Sequence, residues 1–181
     1  ADAMGFVLAP TSPRAVTIDQ ARGLAEDVPI ATFIVTVDLT PGEALLAAEH
    51  IGVTGIQAHG LYSLDVAAEA ADAGYLSLTP VPVGPDGPLV RMAEVPETSL
   101  PLFDTGSAAQ HGGTGIVFDW SLIPEPGRPF VLAGGLGPDN IAEAISAVEP
   151  FGVDASSRLE SAPGVKDPSR IVDFIEEAKR T

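Results

Sequence analysis

A chain of 181 residues with 45% apolar and 19% charged side chains has the make-up of one globular domain and excludes a disordered one. With no cysteine it has neither a disulfide nor a thiolate metal site, and its three histidines, His50, His59 and His111, lack metal-ligand spacing, so dependence on a metal is not expected. A net charge of −16 argues against nucleic acid and anionic membrane as partners, so an anionic ligand must be held locally, by backbone amides and a few arginines.

The chain begins "ADAMGFVLAP", which lacks the basic flank of a signal peptide, and no apolar run approaches the roughly 20 residues of a membrane span. A cytoplasmic protein is expected. "MGFVLA" reads as a strand and "IDQARGLAED" as the helix after it. The pairing repeats with "TFIVTV" and "PGEALLAAEHIG", "GIQAHG" and "SLDVAAEAADAG", and "YLSLTPVPV" and "GPLVRMAEV". It continues with "SLPLFDT" and a short "DWSLIP", "FVLAGG" and "DNIAEAISAVEP", and last "GVDASS" and "SRIVDFIEEAKR". Strand–helix alternation without a linker predicts a parallel sheet with helices outside it, a β/α barrel or a doubly wound sheet. Ligands bind at the carboxyl ends of the strands in both. Seven units would leave two open edges where eight close a barrel, and residues 1–3 look like the tail of a loop, so a first strand and helix are expected to be missing at the front of a single domain spanning 1–181.

The strand ends collect the candidate chemistry. Arg14 follows Ser-Pro, and His59 lies in "QAHG". Asp104 closes the apolar "SLPLF", a setting that raises a carboxyl pKa and suits a general acid. Each has a plainer alternative: a solvated loop arginine, a core-edge histidine bonded to a carbonyl, a turn or N-cap aspartate. "HGGTG" makes either a phosphate loop or a lid, and Asp119-Trp120 starts a short helix with Trp120 as packing. In "FVLAGGLGPDNIAEAI" a strand stops at Gly134 and Gly135, and Asp139 or Asn140 offers helix-start chemistry. Such a turn either serves the chain alone or lets an anion approach bare N–H groups. "DASSRLE" adds Asp154, Ser156 and Ser157.

"MGFVLAPTSPR", "QAHG", "FDTGSAAQHGGTGIVFDWSLI", "VLAGGLGPDNIAEAI" and "GVDASSRLESAPGVKD" together resemble, in order and spacing, the phosphoribosylanthranilate isomerases of tryptophan biosynthesis. The resemblance covers essentially the whole chain. It implies an eight-fold β/α (TIM) barrel, monomeric or homodimeric, that needs no cofactor and converts a small phosphoribosyl substrate by an Amadori rearrangement. Asp104 then matches the general acid, Arg14 the partner of the anthranilate carboxylate, and Gly134, Gly135, Ser156 and Ser157 the phosphate turns. Asp154 matches a carboxylate near the reacting atoms. The chain departs from the family at Ala58, where leucine is usual, and at Arg158, where glycine is usual. It also lacks the first strand, whose cysteine is the family's general base. Two other readings remain: a broad-specificity isomerase that also serves the histidine pathway, and a non-catalytic barrel that binds phosphorylated metabolites.

Overall fold

The computed structural model describes residues 1–105, 118–125 and 127–181. They divide into two compact units, Ala1–Pro80 with Ala93–Leu100, and Val81–Met92 with Pro101–Thr181. The first is built from β1 (Ala3–Val7), α1 (Ile18–Ala25), β2 (Ala31–Val37), α2 (Pro41–Ile51), β3 (Gly55–His59), α3 (Ser63–Asp72) and the start of β4 (Leu76–Gly84). Its strands are parallel in the order β1, β2, β3, β4, and one row of the register reads Phe6, Ile34, Ile56, Ser77. Phe6, Ile34 and Ile56 pack with Ala44, Ala47, Ala48, Val66 and Ala70 of the helices, so that side of the sheet is the core. Alanine at the helix positions lets the helices sit close to the strands.

Local chemistry sets the helix ends. In "TPGE", Thr40 and Glu43 bond each other's backbone N–H groups reciprocally, Pro41 takes the first turn, and Gly52 closes α2 at φ +80°. Thr17 and Gln20 repeat the box on α1, with bonds of 2.8 and 3.2 Å. Ser99 ties its segment to β4 through the Thr79 hydroxyl (2.6 Å) and the Ser77 carbonyl (3.0 Å), all three side chains being buried.

The second unit holds the end of β4, β5 (Gly87–Pro88), β6 (Leu100–Thr105, from Pro101 onward), β7 (Val131–Leu132), α4 (Ile141–Val148), β8 (Gly152–Val153), the hairpin β9 (Glu160–Ala162) and β10 (Val165–Lys166), and α5 (Pro168–Arg180). β6, β7 and β8 are parallel, with Phe103 opposite Leu132 and Leu132 opposite Val153. Leu102, Phe103, Leu132, Leu136 and Ile141 are fully buried, and Phe103 meets Phe130 edge to face at 5.4 Å between ring centres. Burial of such side chains stabilises by about 1.5–3 kcal/mol each.

All seven apolar runs form parallel strands, although "FVLAGG" and "GVDASS" contribute only two residues each. The helix expected in "GPLVRMAEV" is not there. Pro85 and Asp86 turn the chain so that Gly87, at φ +118°, and Pro88 pair antiparallel with β4. What remains before Pro96 supports only a single 3-10 turn, Met92–Glu94, since a run that short does not repay helix nucleation. "DWSLIP" forms a 3-10 turn, Trp120–Leu122, capped by the Asp119 carboxylate on the Ser121 N–H. Among the described residues no helix is long and apolar enough to cross a membrane.

Candidate active site

Six of the eight residues singled out above meet in the second unit, on the ends of β6, β7 and β8. Two ladder bonds carry the parallel register up to them. The Ala133 N–H donates to the Phe103 carbonyl at 2.7 Å, and the Asp154 N–H to the Leu132 carbonyl at 2.8 Å. Asp104 and Asp154 therefore flank the glycine turn that follows β7. Asp104 accepts the Thr105 N–H at 2.7 Å. Burial pushes its carboxyl up to about 6, the Thr105 N–H opposes that rise, and the charge of Asp154 adds to it. Burial also raises Asp154, but there the Lys166 ammonium is the leading opposing influence, followed by the Ala155 N–H. Burial thus raises both neighbouring carboxyls, and a cation opposes the rise at one of them.

Gly134 and Gly135 take φ of +86° and +66°, two successive left-handed residues that side chains resist. The space that a Gly134 Cβ would need is filled by the protein itself. It would lie 2.5 Å from Thr105 Oγ1, 2.7 Å from Thr105 N and 3.1 Å from Asp104 Oδ1. The first thing the glycine makes room for is therefore the end of β6. Asn140 stands at the N-cap position of α4 but makes no side-chain cap there. Its Oδ1 accepts the Gly137 N–H at 2.8 Å and its Nδ2 donates to the Gly135 carbonyl at 3.1 Å, so it braces the turn instead. Asp139 is likewise engaged elsewhere, in an ion pair with Arg158.

Ser156 and Ser157 follow β8, where Ser157–Leu159 make a 3-10 turn. Lys166 Nζ donates to the Ser156 carbonyl (2.8 Å), the Ser156 hydroxyl (3.2 Å) and Glu160 Oε1 (2.9 Å). The Glu160 side chain is only 4% exposed, so Lys166 balances a buried charge while it holds the serine turn. Lys166 escaped attention in the sequence, although its signal is there: "ESAPGVK" has Pro-Gly at a hairpin tip with an acid and a base on the two arms. Thr105 carried no comparable signal, Asn140 signalled only a helix start, and Arg158 only a departure from the family's glycine.

Arg14 and His59 belong to the first unit, each following the carboxyl end of its strand or closing it. Arg14 sits in the loop after β1, its N–H donating to the Ser12 hydroxyl at 3.2 Å. His59 ends β3 with Nε2 3.0 Å from the Gln57 side-chain amide nitrogen, and its carbonyl accepts the Asp38 N–H. "HGGTG", with His111, lies outside the described residues.

A family model described as N-(5'phosphoribosyl)anthranilate (PRA) isomerase matches residues 1–177. The chain belongs to this family. N-(5'-phosphoribosyl)anthranilate isomerase of Halorhodospira halophila is 37% identical over 99% of this chain and 87% of its own length. Among solved structures, phosphoribosyl anthranilate isomerase of Thermotoga maritima is 33% identical with a TM-score of 0.84, over 100% of this chain and 89% of that one. Another isomerase structure, solved in complex with reduced 1-(o-carboxyphenylamino)-1-deoxyribulose 5-phosphate, is 31% identical with a TM-score of 0.80 over the same shares. The fold class is accordingly α/β, of the β/α-barrel type of the family.

Proposed function

We propose that this isomerase opens and rearranges N-(5'-phosphoribosyl)anthranilate to 1-(2-carboxyphenylamino)-1-deoxyribulose 5-phosphate, with Asp104 as the general acid. The observation that carries the assignment is a carboxyl titrating near 6 at the end of β6, in contact distance of a rigid glycine turn. A group with that pKa still holds part of its protons near neutrality and can deliver one to the ribose ring oxygen as the ring opens to a Schiff base. The 5-phosphate is assigned to backbone N–H groups of the turns at Gly134, Gly135, Ser156 and Ser157. In support, the left-handed turn leads into a helix whose first N–H groups have no side-chain cap. Arg14 is assigned to the anthranilate carboxylate as a charge-assisted partner, and His59 to the same rim. A single barrel domain, a cytoplasmic location and a monomer or homodimer belong to the same reading.

Removal of the C2′ proton needs a base. Asp154 is a candidate, yet burial favours its neutral form. None of the 181 residues is a cysteine, the base that the resemblance implies. We therefore assign the base to a cysteine-ended strand joined to these residues. Conversion of N-(5'-phosphoribosyl)anthranilate is the test. Negligible turnover by the 181-residue polypeptide, with full turnover by a longer gene product and loss on Cys→Ala, is the expected result; a normal turnover number from the 181 residues would give the base role to Asp154. Phosphate binding without turnover by either form would favour a non-catalytic barrel, and turnover of the histidine-pathway substrate a broad-specificity one.

A further inference from the structure

We propose that Arg158 is a positioning residue that straps the turn after β8 to the glycine turn after β7 and so aims the Leu136 N–H at the substrate phosphate; this rests on the phosphate assignment above. The guanidinium spans the two turns. Its Nη1 donates to the Gly135 carbonyl at 3.2 Å and its Nη2 to the Asp139 carboxylate, while its Cβ and Nε pack against Gly137, each 3.0 Å from where a Cβ on that glycine would stand. The Gly135 carbonyl takes a second donor, Asn140 Nδ2, at 3.1 Å. A carbonyl held by two donors has a fixed direction. The peptide unit is planar and trans, so the N–H of the next residue, Leu136, points the opposite way, away from Arg158 and Asn140. The strap thus holds the glycine turn as a preorganised donor. Arg158 is 30% exposed, and its guanidinium already has two protein acceptors, which suits a brace better than a mobile phosphate ligand.

The two roles make opposite forecasts for Asp139. If Arg158 were a phosphate ligand restrained by Asp139, Asp139→Ala would release the cation, remove a negative charge and tighten phosphate binding. If Arg158 is a strap, the same substitution slackens the turn and weakens binding. Inorganic phosphate titrated calorimetrically into the 181-residue protein is the measurement. Expected are an affinity loss of about tenfold for Arg158→Ala, the scale of one good hydrogen bond, and a loss in the same direction for Asp139→Ala. Arg158→Lys, which can reach Asp139 but lacks the fork, should recover part of it. Thermal midpoints within a few degrees of the parent would separate this from a general loss of structure. Tighter binding by Asp139→Ala, or unchanged binding by Arg158→Ala, would overturn the strap and leave the phosphate site standing. No binding by the parent protein would overturn the phosphate assignment, and the strap with it.

Discussion

Gly134→Ala tests whether the turn after β7 is locked to the end of β6. Two costs are separable. The first is backbone: at φ +86° an L-residue loses about 1–2 kcal/mol. The second is steric, since the new methyl would stand 2.5 Å from Thr105 Oγ1 and 2.7 Å from Thr105 N. The hydroxyl can rotate away, but the nitrogen belongs to a strand paired with β7 and can move only if that pairing shifts. Overpacking of this kind costs about 1–3 kcal/mol. The two together come to about 2–5 kcal/mol, a large part of the 5–15 kcal/mol typical of a whole domain. Gly52→Ala is the control, because Gly52 has nearly the same φ, +80°, and nothing lies within 4 Å of its missing Cβ. It should show the backbone cost alone. Urea unfolding followed by circular dichroism gives both values at equal m. A Gly134→Ala loss no greater than that of Gly52→Ala would refute the reasoning: β6 would then not fill the space, and the turn would not be tied to Asp104.

Asp104→Asn should lower kcat by about 10² to 10⁴ in a steady-state assay, because an amide keeps the shape but has no acidic proton. The same substitution should raise stability near neutral pH. The folded pKa of Asp104, about 6, lies above its ordinary 3.8, so the stability it contributes is complete below 3.8 and is lost as pH rises through 6. At about 1.4 kcal/mol per unit the whole loss approaches 3 kcal/mol, of which about 1.4 kcal/mol falls between pH 5 and pH 8, and urea midpoints of parent and variant at those two pH values should diverge by that smaller amount. Arg14→Ala should raise KM with little change in kcat, and unchanged saturation would make Arg14 a bystander. Lys166→Met should destabilise by somewhat less than the about 3–5 kcal/mol of a fully buried pair, since Lys166 is itself 43% exposed, and Glu160→Gln in the same chain should recover part of it in thermal melts.

How far the sequence disclosed the molecule depended on whether a feature was local. "TPGE" announces the start of α2 because a capping box involves residues three apart, and the seven strands show as apolar runs between helical periods. "GPLVRMAEV" misled because its apolar spacing is helical while Pro85-Asp86-Gly87 commits the chain to a turn before a helix can nucleate. Asp104 was legible from its apolar run, and the glycine pair from its place before a helix. What Gly134 accommodates was not, since Thr105 and Asp104 are neighbours only through the β6–β7 register. Asn140 read as a cap because nothing in the sequence shows that its amide faces back over the turn. Arg158 stood out only as a departure from the family's glycine, and its partners Gly135 and Asp139 lie 23 and 19 residues away.

A chain of net charge −16 is proposed to bind a phosphate dianion, and the placement of its few cations bears on how. Lys166 has three N–H donors, and Ser156 and Glu160 supply three acceptors for them. Its charge acts at a distance instead, on Asp154, where it opposes the rise that burial causes. At Asp154 burial is the larger influence and raises the carboxyl, with the Lys166 ammonium opposing that rise, while the named influences on Asp104 include no cation. With Lys166 committed to the serine turn and Arg158 to Asp139 and Gly135, the phosphate charge is left to the N–H dipoles of the turns and the first turn of α4. Oriented dipoles suit that task in an acidic protein: they stabilise the anion where it sits, and they leave the carboxyl of Asp104 without a cation that would strip it of its proton.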